Sequence, residues 1–351
     1  MMKIAILAIG LPLILASLAP LIRSNRWWIR VLDFPRLQIA IALACVLVAA
    51  LFFFSPRHLP DAAFLLALAA ALAHLAWRVF PYTPLAAPEA ARCGDCEPAS
   101  RIRLLIANVL MDNRRAEDFL ALVRRADPDL ILAVETDHWW SEQLKVLEED
   151  YPFGLARPLD NTYGLLLFSR LELESPEIRF LVEDDVPSVR TGVRLRSGQR
   201  IEFIGLHPRP PRPGQDTEQR DAEILIVGRE MRQSGKPTIV GGDLNDVAWS
   251  HTTRLFRRTS GALDPRIGRS RFSTFHARYP FLRWPVDHVF HTDTFTLAEM
   301  RRLAYFGSDH FPVLVELCLE PNSKQRKEAP AAGDDRKEAR GKIQEGQERG
   351  D

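Results

Sequence analysis

The sequence is poor in cysteine and carries almost no net charge, and each shortage excludes a class of protein. Four cysteines among 351 residues do not provide the disulfide framework that holds small secreted domains together. A formal net charge of +1 at pH 7 excludes a chain that binds nucleic acid through basic charge spread over its whole surface. We also find no internal repeat.

The few cysteines suggest structural roles at most. Cys45 lies in an apolar stretch and Cys318 ends a predicted strand, so both are expected to be inert apolar residues. Cys93 and Cys96 form a CxxC pair, which can form a disulfide, carry out redox chemistry or supply half of a zinc site. Zinc is not expected without a second CxxC, and a redox enzyme would need a βαβ context. We therefore expect a small disulfide between Cys93 and Cys96 or two free thiols.

Charge is also missing from three long stretches near the N-terminus. Residues 4–22 and 37–54 contain no charged side chain, and 62–77 contain only a histidine. A helix that crosses a bilayer needs roughly 20 apolar residues, and the third stretch reaches that length with the apolar residues after it. A cleaved signal peptide is not expected, because an arginine-rich loop and another apolar stretch follow the first one. The second and third lack the polar face of a core helix. The sequence therefore predicts three transmembrane helices within residues 1–80, and a lipid bilayer as partner.

The rest of the chain divides by composition. Residues 81–100 are rich in proline, alanine and small polar residues, which is typical of a linker. Residues 319–351 have almost no large apolar side chain, so we expect a disordered tail. Residues 101–318 form one domain-sized block.

That block mixes the two hydrophobic periodicities. Helices are predicted at 115–126 and from near Asp216 onward. Strands are predicted at 103–110, 130–135, 163–170, 237–243, 286–291 and 311–317, with a hairpin over 189–207. So many strands with few helices between them predict an α/β domain with much antiparallel pairing.

Polar side chains recur where these strands end. Each alone has an ordinary explanation, because Asp and Asn favour turns and a lone histidine is usually structural. Together they suit attack of water on a phosphate ester. The residues are Asn108, Glu135, His207, Asp243 with Asn245, Asp287, and the pair Asp309 and His310.

Each residue type has a place in that chemistry. Oxygen ligands such as those of Glu135 and Asn108 favour Mg²⁺ or Mn²⁺. A carboxylate beside His310 would hold the imidazole in one tautomer and stabilise its charged form. Asp243 could orient or deprotonate the water. Asn245 and His207 could donate hydrogen bonds to the oxygens of the transition state.

The motifs NVL at 108, AVETD around Glu135, LHP at 206, GGDLN at 241, VDHVF at 286 and GSDHFPV at 307 occur in this order. Over residues 101–318 they resemble the endonuclease/exonuclease/phosphatase (DNase I-like) superfamily, which includes nucleases, sphingomyelinases and inositol-phosphate phosphatases. The resemblance implies a four-layer αββα sandwich and a phosphoesterase that depends on a divalent metal. With the three apolar stretches, the chain is similar to a bacterial membrane-anchored branch.

The resemblance also implies residue roles. Asn108 and Glu135 serve the metal, with support from Asp309, while Leu110 stands where some repair nucleases carry a further acid. On the water and phosphate side, His310 pairs with Asp287, Asp243 and Asn245 handle the nucleophile and phosphate, and His207 contacts phosphate.

Arginine-rich segments flank the proposed site. Residues 254–283 hold eight arginines and one aspartate, and residues 190–212 hold six arginines and one glutamate. They favour an anionic substrate, with Arg190 and Arg283 as candidate contacts. Nucleic acid and a phospholipid or lipid-linked phosphate both remain open as substrate. A non-catalytic membrane interaction protein is the third alternative, against which the full set of polar residues argues. Nothing in the sequence identifies a protein partner.

Two arguments about the side of the membrane conflict. The loop of residues 23–36 carries four arginines and one aspartate, and the positive-inside rule would place it, and with it the domain, in the cytoplasm. The resemblance to outward-facing relatives and the CxxC pair favour an oxidising compartment. Trp27 and Trp28 suggest that the loop lies along the interface. We favour a protein of the inner membrane with its domain on the outer, periplasmic side.

Overall fold

The computed structural model describes residues 1–321, 323, 325 and 331–350. Its first helices are α1 Met2–Leu18, the short α2 Trp27–Arg30, α3 Arg36–Phe53 and α4 Leu59–Val79. Three helical stretches, Met2–Leu21, Arg36–Phe53 and Leu59–Tyr82, are long and apolar enough to span a membrane. They pack through a shared core that includes Leu43 and Leu68. Many of their other apolar side chains are exposed, as in a helix bundle that meets lipid.

Eleven strands follow in the part of the chain that the structure describes: β1 Arg101–Asn108, β2 Leu130–Val134, β3 Phe153–Arg157, β4 Leu165–Ser169, β5 Leu173–Phe180, β6 Pro187–Arg194, β7 Arg200–Leu206, β8 Thr238–Asp243, β9 Asp287–His291, β10 Phe295–Arg302 and β11 Val313–Leu319. The first sheet has the order β10-β11-β1-β2-β4-β3 and the second the order β5-β6-β7-β8-β9. Only β1–β2 and β7–β8 are parallel pairs among the strand pairs of the described chain.

The two sheets face each other across one apolar core, to which Ile106 and Leu132 contribute from the first sheet and Val189 and Phe203 from the second. Helices α5 Ala116–Ala126 and α6 His138–Leu144 cover the outer face of the first sheet. Helices α7 Glu218–Ser234, α8 His251–Ser260 and α9 Gly333–Gly350 cover the second. The predicted four-layer αββα sandwich is confirmed.

Two sequence expectations need correction. Residues 333–350 are not disordered, because α9 buries Ala339 and Ile343 against the second sheet's helices and Lys342 Nζ lies 2.9 Å from Asp221 Oδ2. A short apolar stripe and a few ion pairs thus replace the large apolar residues that the tail lacks. For residues 322, 324, 326–330 and 351 the prediction of disorder lies outside the described residues.

The cysteine expectation is also wrong. Cys96 forms a disulfide with Cys318, and Cys93 remains free. The sequence separation of 222 between the partners explains why spacing alone did not reveal the pair. Cys318 is therefore a cross-link and not an inert residue at the end of β11.

The segment that joins α1 to α3 is attached to the sandwich. Trp27 N donates to Asp216 Oδ1 at 2.8 Å, and Trp249 Nε1 donates to the carbonyl oxygen of Asp33 at 2.7 Å. Arg30 and Arg36 are buried and both form ion pairs with Asp33. We call residues 23–35 the interspan segment. Its buried contacts fix it beside the edge of the sandwich that is described next.

Candidate active site

The sheet register brings the predicted strand ends to one edge. Because β1 and β2 are parallel, Asn108 at the end of β1 lies beside Glu135, which follows β2. The same geometry in β7 and β8 places His207 beside Asp243. Asp287, the first residue of antiparallel β9, lies opposite Asp243. Two parallel pairs, one from each sheet, therefore meet at their carboxyl ends.

Hydrogen bonds connect the two sheets at this edge. Asn108 Nδ2 donates to Glu135 Oε1 at 2.7 Å and to Asp243 Oδ2 at 3.0 Å. Glu135 has a φ of 60°, a conformation that non-glycine residues rarely adopt and that marks functional sites. One amide thus holds two carboxylates from different sheets side by side.

A second chain of contacts runs through His310. Its Nδ1 lies 2.8 Å from Asp287 Oδ2, and its Nε2 lies 3.5 Å from Asp243 Oδ2. Its backbone N–H donates to Ser308 Oγ, and that hydroxyl donates to the carbonyl oxygen of Asn108 at 2.7 Å. The imidazole is therefore oriented by a carboxylate on one side and points at Asp243 on the other.

Asn245 and His207 complete the edge. The backbone N–H of Asn245 donates to Asp243 Oδ1 at 3.0 Å, and its side-chain amide donates to the carbonyl oxygen of Pro208 at 2.9 Å. His207 Nε2 lies 3.9 Å from both Glu135 Oε1 and Asp243 Oδ2. Asp243 is thus approached by groups from four neighbouring residues and is the centre of the arrangement.

We call the four acids Glu135, Asp243, Asp287 and Asp309, together with His207 and His310, the acid-rich cluster. Burial raises the pKa of Glu135 to about 7, although the hydrogen bond from Asn108 opposes the rise. Burial also raises the pKa of Asp243 and lowers that of His207 to about 4. For His310 burial acts downward, but Asp287 and Asp243 together outweigh it and raise the pKa to about 10. His310 is therefore the one group of the cluster that is charged positively at neutral pH.

The donor atoms of the cluster fit a hard divalent cation. Glu135, His207 and Asp243 offer ligand atoms within 4.8 Å of one another, and so do Asp243, Asp287 and His310. Asp309 Oδ1 is buried without a hydrogen-bond partner among the described residues. Carboxylate oxygens are the ligands that Mg²⁺ and Mn²⁺ prefer. A cation at Glu135 would relieve the repulsion that Asp243 and Asp309 exert on its charge.

The family is evident once this edge is compared with known proteins. A family model described as the endonuclease/exonuclease/phosphatase family matches residues 105–310, a range that contains the whole acid-rich cluster. The chain belongs to this family. A search of curated protein sequences finds no match.

Several solved structures share the fold of this chain. The D. rerio TDP2 structure complexed with a single-strand DNA product has a TM-score of 0.53 and 16% identity, covering 62% of this chain and 99% of that one. The human Nocturnin catalytic domain with bound sulfate has a TM-score of 0.51 and 16% identity, covering 63% and 94%. An endonuclease/exonuclease/phosphatase from Beutenbergia cavernae has 0.51 and 16%, covering 63% and 72%. At these identities the similarity establishes the fold alone.

The two candidate arginines do not join the cluster. Arg190 lies on β6, where its guanidinium contacts Glu202 at 2.7 Å. Arg283 lies in the loop before β9, donates to the carbonyl oxygen of Ala277 and stacks on Phe311, the residue after His310. Arg190 is therefore part of an ion pair with the buried Glu202, whereas Arg283 borders the site without touching its acids.

Sequence reasoning overlooked several neighbours of the cluster. Ser308 links Asn108 to the backbone of His310, and only its place in GSDH hinted at this. Phe275 packs on the His310 ring at a centroid distance of 4.9 Å. Tyr163 packs on His207 at 5.5 Å. Neither aromatic residue stands out in the sequence, because nothing in its local pattern differs from that of a core residue.

Proposed function

We propose that this family member is a membrane-anchored phosphoesterase that uses a divalent metal ion to hydrolyse phosphate esters with water. One observation carries the proposal: the Asp243 carboxylate lies between the Asn108 amide and the His310 imidazole. That arrangement provides a buried acceptor for a water proton next to a buried cation for phosphate oxygens.

Glu135, Asp309 and Asn108 would hold Mg²⁺ or Mn²⁺. Asn108 faces Glu135 with its amide nitrogen. Half a turn of the amide would offer its oxygen to the ion and would give up the hydrogen bond that this oxygen accepts from the Leu110 N–H. When bound, the ion supplies positive charge to the phosphoryl oxygens. Leu110, whose N–H donates to Asn108 Oδ1, adds no further carboxylate.

Asp243 is the residue that would orient the attacking water and accept its proton. The Asn245 N–H holds one of its oxygens in place, which leaves the other directed at His310. Burial raises the pKa of Asp243, and a raised pKa makes a carboxylate a better base.

His310 would stabilise the charge that develops on the phosphate. Asp287 keeps the ring protonated and in one orientation, so its Nε2–H can donate to a phosphoryl oxygen from a buried position. His207, whose low pKa leaves it neutral, and the Asn245 amide can donate further hydrogen bonds. This division assigns each of the two histidines of the acid-rich cluster a different role.

Two substrate classes suit this machinery. A nucleic acid is one, because the D. rerio TDP2 structure of the same fold carries a single-strand DNA product. A phosphorylated lipid is the other, because three helices long enough to span a membrane precede the domain.

We also propose that the three helices anchor the protein and that the domain lies on the outer side of the inner membrane. The interspan segment follows the first crossing and the domain follows the third, so two crossings separate them and both lie on the same side of the membrane. Their hydrogen bonds to each other require this. Of the loop's four arginines, Arg30 and Arg36 are buried with Asp33, which weakens the positive-inside argument. The disulfide between Cys96 and Cys318 suits an oxidising compartment.

A labelling experiment tests the side of the membrane. In a Cys45→Ser protein, Cys93 is the remaining free thiol, so a membrane-impermeant maleimide should label it in intact cells. Labelling that requires cell lysis would place the domain in the cytoplasm.

Turnover by the full-length protein tests the chemistry. Detergent-solubilised protein should hydrolyse p-nitrophenyl phosphate or bis(p-nitrophenyl) phosphate with added Mn²⁺, and Asp243→Asn should lose this activity. Asp118→Asn, a change at an exposed aspartate of α5, is the control. Equal turnover by both variants would remove Asp243 from the mechanism.

A further inference from the structure

An apolar cavity opens directly beside the acid-rich cluster. It has a volume of about 400 Å³, within the range of roughly 300–1,000 Å³ that ligand pockets occupy. Leu32 and Phe34 of the interspan segment, Pro211 and Trp284 form its apolar wall, and Asn245 and His310 line it as well. A ligand that fills it would therefore place one end at the proposed catalytic groups and the rest against hydrocarbon side chains.

The wall of this cavity continues into helices that can span a membrane. Pro35, which also lines the cavity, immediately precedes α3 Arg36–Phe53. Two contacts fix the interspan segment against the domain. Trp249 Nε1 donates to the carbonyl oxygen of Asp33, and the Phe34 ring packs edge-on against Trp284 at a centroid distance of 5.8 Å. The cavity is thus built at the level where α3 would leave the bilayer.

A neighbouring loop carries the features of a membrane-surface contact. Tyr279, Phe281 and Leu282 are 57%, 85% and 49% exposed, and the carbonyl oxygen of Phe281 accepts a hydrogen bond from Gln38 of α3 at 2.8 Å. Aromatic residues at this level are typical of the interface between lipid and water. A group of exposed apolar side chains such as this marks an interaction surface, and its position beside α3 fits a surface that touches lipid.

Cationic side chains lie between this tip and α3. A second cavity of about 680 Å³ is lined by Arg271, Arg283 and Arg302 together with Leu37 and Ile41 of α3. Guanidinium groups beside apolar side chains match a phosphate headgroup attached to a hydrocarbon chain. The arginines and the apolar side chains of this second cavity can therefore accommodate an anionic lipid together.

We propose that the substrate is a phosphate ester of a membrane lipid, with its phosphate at the acid-rich cluster and its hydrocarbon chain in the cavity beside Leu32 and Trp284. This inference rests on the proposed phosphoesterase function. In the reaction the water oxygen forms the new bond to phosphorus and the ester P–O bond breaks. One water proton passes through Asp243 while the departing alcohol oxygen takes up a proton, so one water molecule balances the products.

A nucleic acid fits this surface less well. The arginines of residues 190–212 suggested a basic face, but Arg190, Arg194, Arg196, Arg200 and Arg209 all form ion pairs with acids. Beside the cluster, the interspan segment presents Val31, Leu32 and Phe34 to the cavity, and these side chains offer a polyanion no charge. Trp284 Nε1, buried without a hydrogen-bond partner among the described residues, adds a single donor for an ester oxygen.

A matched pair of variants tests the cavity. Val31 lines it and is 41% exposed, whereas Val146 is 46% exposed and lies on the far side of the first sheet. In full-length protein in detergent, kcat/KM is measured for dioleoyl phosphatidic acid, dioleoyl phosphatidylglycerol, a single-stranded oligonucleotide and bis(p-nitrophenyl) phosphate. Val31→Glu should lower lipid turnover by about tenfold or more, because an unpaired charge in an apolar site is costly.

The other measurements separate the possible failures. Val31→Glu should lower turnover of the soluble ester far less than it lowers lipid turnover, and Val146→Glu should change neither. Binding of a fluorescent phosphatidic acid to EDTA-treated protein should weaken in Val31→Glu alone. Lipid turnover equal in both variants, or hydrolysis of the oligonucleotide but of neither lipid, would overturn the lipid inference and leave the phosphoesterase standing. No hydrolysis of any substrate, the soluble ester included, would instead overturn the proposed function while the binding result still reports on the cavity.

Discussion

Two clusters of buried charge lie near the same edge of the sandwich, and they differ in balance. The first, the arginine cluster, joins the interspan segment to the domain through Arg30, Asp33, Arg36, Arg220, Asp221 and Asp246. The second is the acid-rich cluster. No lysine or arginine in the described part of the chain forms an ion pair with its four acids. Buried charges are normally paired, so the first cluster is complete in itself and the second is not.

The titration behaviour of one acid from each cluster shows the same contrast. For Asp221 burial acts to raise the pKa, but Lys342, Arg220 and Arg30 outweigh it and lower the pKa below its usual range. For Glu135 burial prevails and raises the pKa to about 7. A balanced cluster contributes to folding, whereas an unbalanced one is available to a cation and a substrate.

The largest effect expected is loss of activity on removal of metal. Excess EDTA should abolish phosphoesterase turnover, and Glu135→Gln should raise the Mg²⁺ or Mn²⁺ concentration that restores it, because one charged oxygen ligand is lost. Titration of turnover against metal concentration measures both. Glu223→Gln, a change at a buried glutamate of α7 outside the cluster, should leave the requirement unchanged. Undiminished turnover in EDTA would refute the proposed role of the acids.

Loss of the single cation of the cluster should come next. His310→Ala should lower kcat on the order of 10²-fold or more, the usual size of an acid–base contribution. The unfolding temperature should fall as well, because Asp287 and Asp243 lose the buried cation that both face. Asp287→Ala should act in the same direction, and the double variant should be less than additive because the two side chains act as a unit.

His291→Ala is the control for this series, since His291 is buried at the opposite end of β9. Its kcat should stay near that of the wild type, whatever its effect on stability. Full activity in His310→Ala would show that the imidazole serves packing, and so would unfolding of that variant without any loss of specific activity in the folded fraction.

The local pattern of apolar and polar residues predicted most of the strands, because an apolar run that ends at a polar residue marks where a strand ends. Apolar strands such as 130–134 stop at a polar residue, and parallel pairing brings such residues together. The edge strands β3, β5 and β10 were missed, since their exposed or charged stretches carry no alternation. The short helices α6 and α8 were missed as well. Helix α9 was missed because its buried residues, Ala339, Ile343 and Gly346, are few.

Contacts between distant residues could not be predicted in this way. The Trp249–Asp33 hydrogen bond spans 216 positions, and neither partner stands in a recognisable motif. The apolar cavity has the same origin, because its walls come from segments that only the fold brings together. The sequence therefore predicted which residues meet at this edge but not the surface that faces them.

The arginine cluster should contribute to the free energy of unfolding. Asp33→Ala leaves Arg30 and Arg36 buried without the carboxylate that they share, and breaking such a group costs roughly 3–5 kcal/mol. Thermal unfolding of the full-length protein, followed by tryptophan fluorescence, should shift to a lower temperature. The exposed pair of Arg115 and Asp118 offers the control Asp118→Ala, for which we expect almost no shift. If the Asp33→Ala protein were as stable as the wild type, this cluster would not be what attaches the interspan segment to the domain.

The smallest effect has the opposite sign and depends on pH. In the folded protein the Glu135 carboxyl keeps its proton up to about pH 7, whereas in the unfolded chain it loses the proton near its ordinary pKa. The stability that this proton adds is fully present below the unfolded pKa and is lost as pH rises through 7. With EDTA present, Glu135→Gln should therefore be more stable than the wild type at pH 8, by at most about 3 kcal/mol, and the difference should shrink toward pH 4.5. Added Mn²⁺ should reverse the order, because the ion binds the wild-type carboxylate and stabilises the folded state. Urea unfolding at the two pH values measures each difference, and a Glu135→Gln protein that is less stable at pH 8 without metal would show that the carboxylate is already balanced, as the acids of the arginine cluster are.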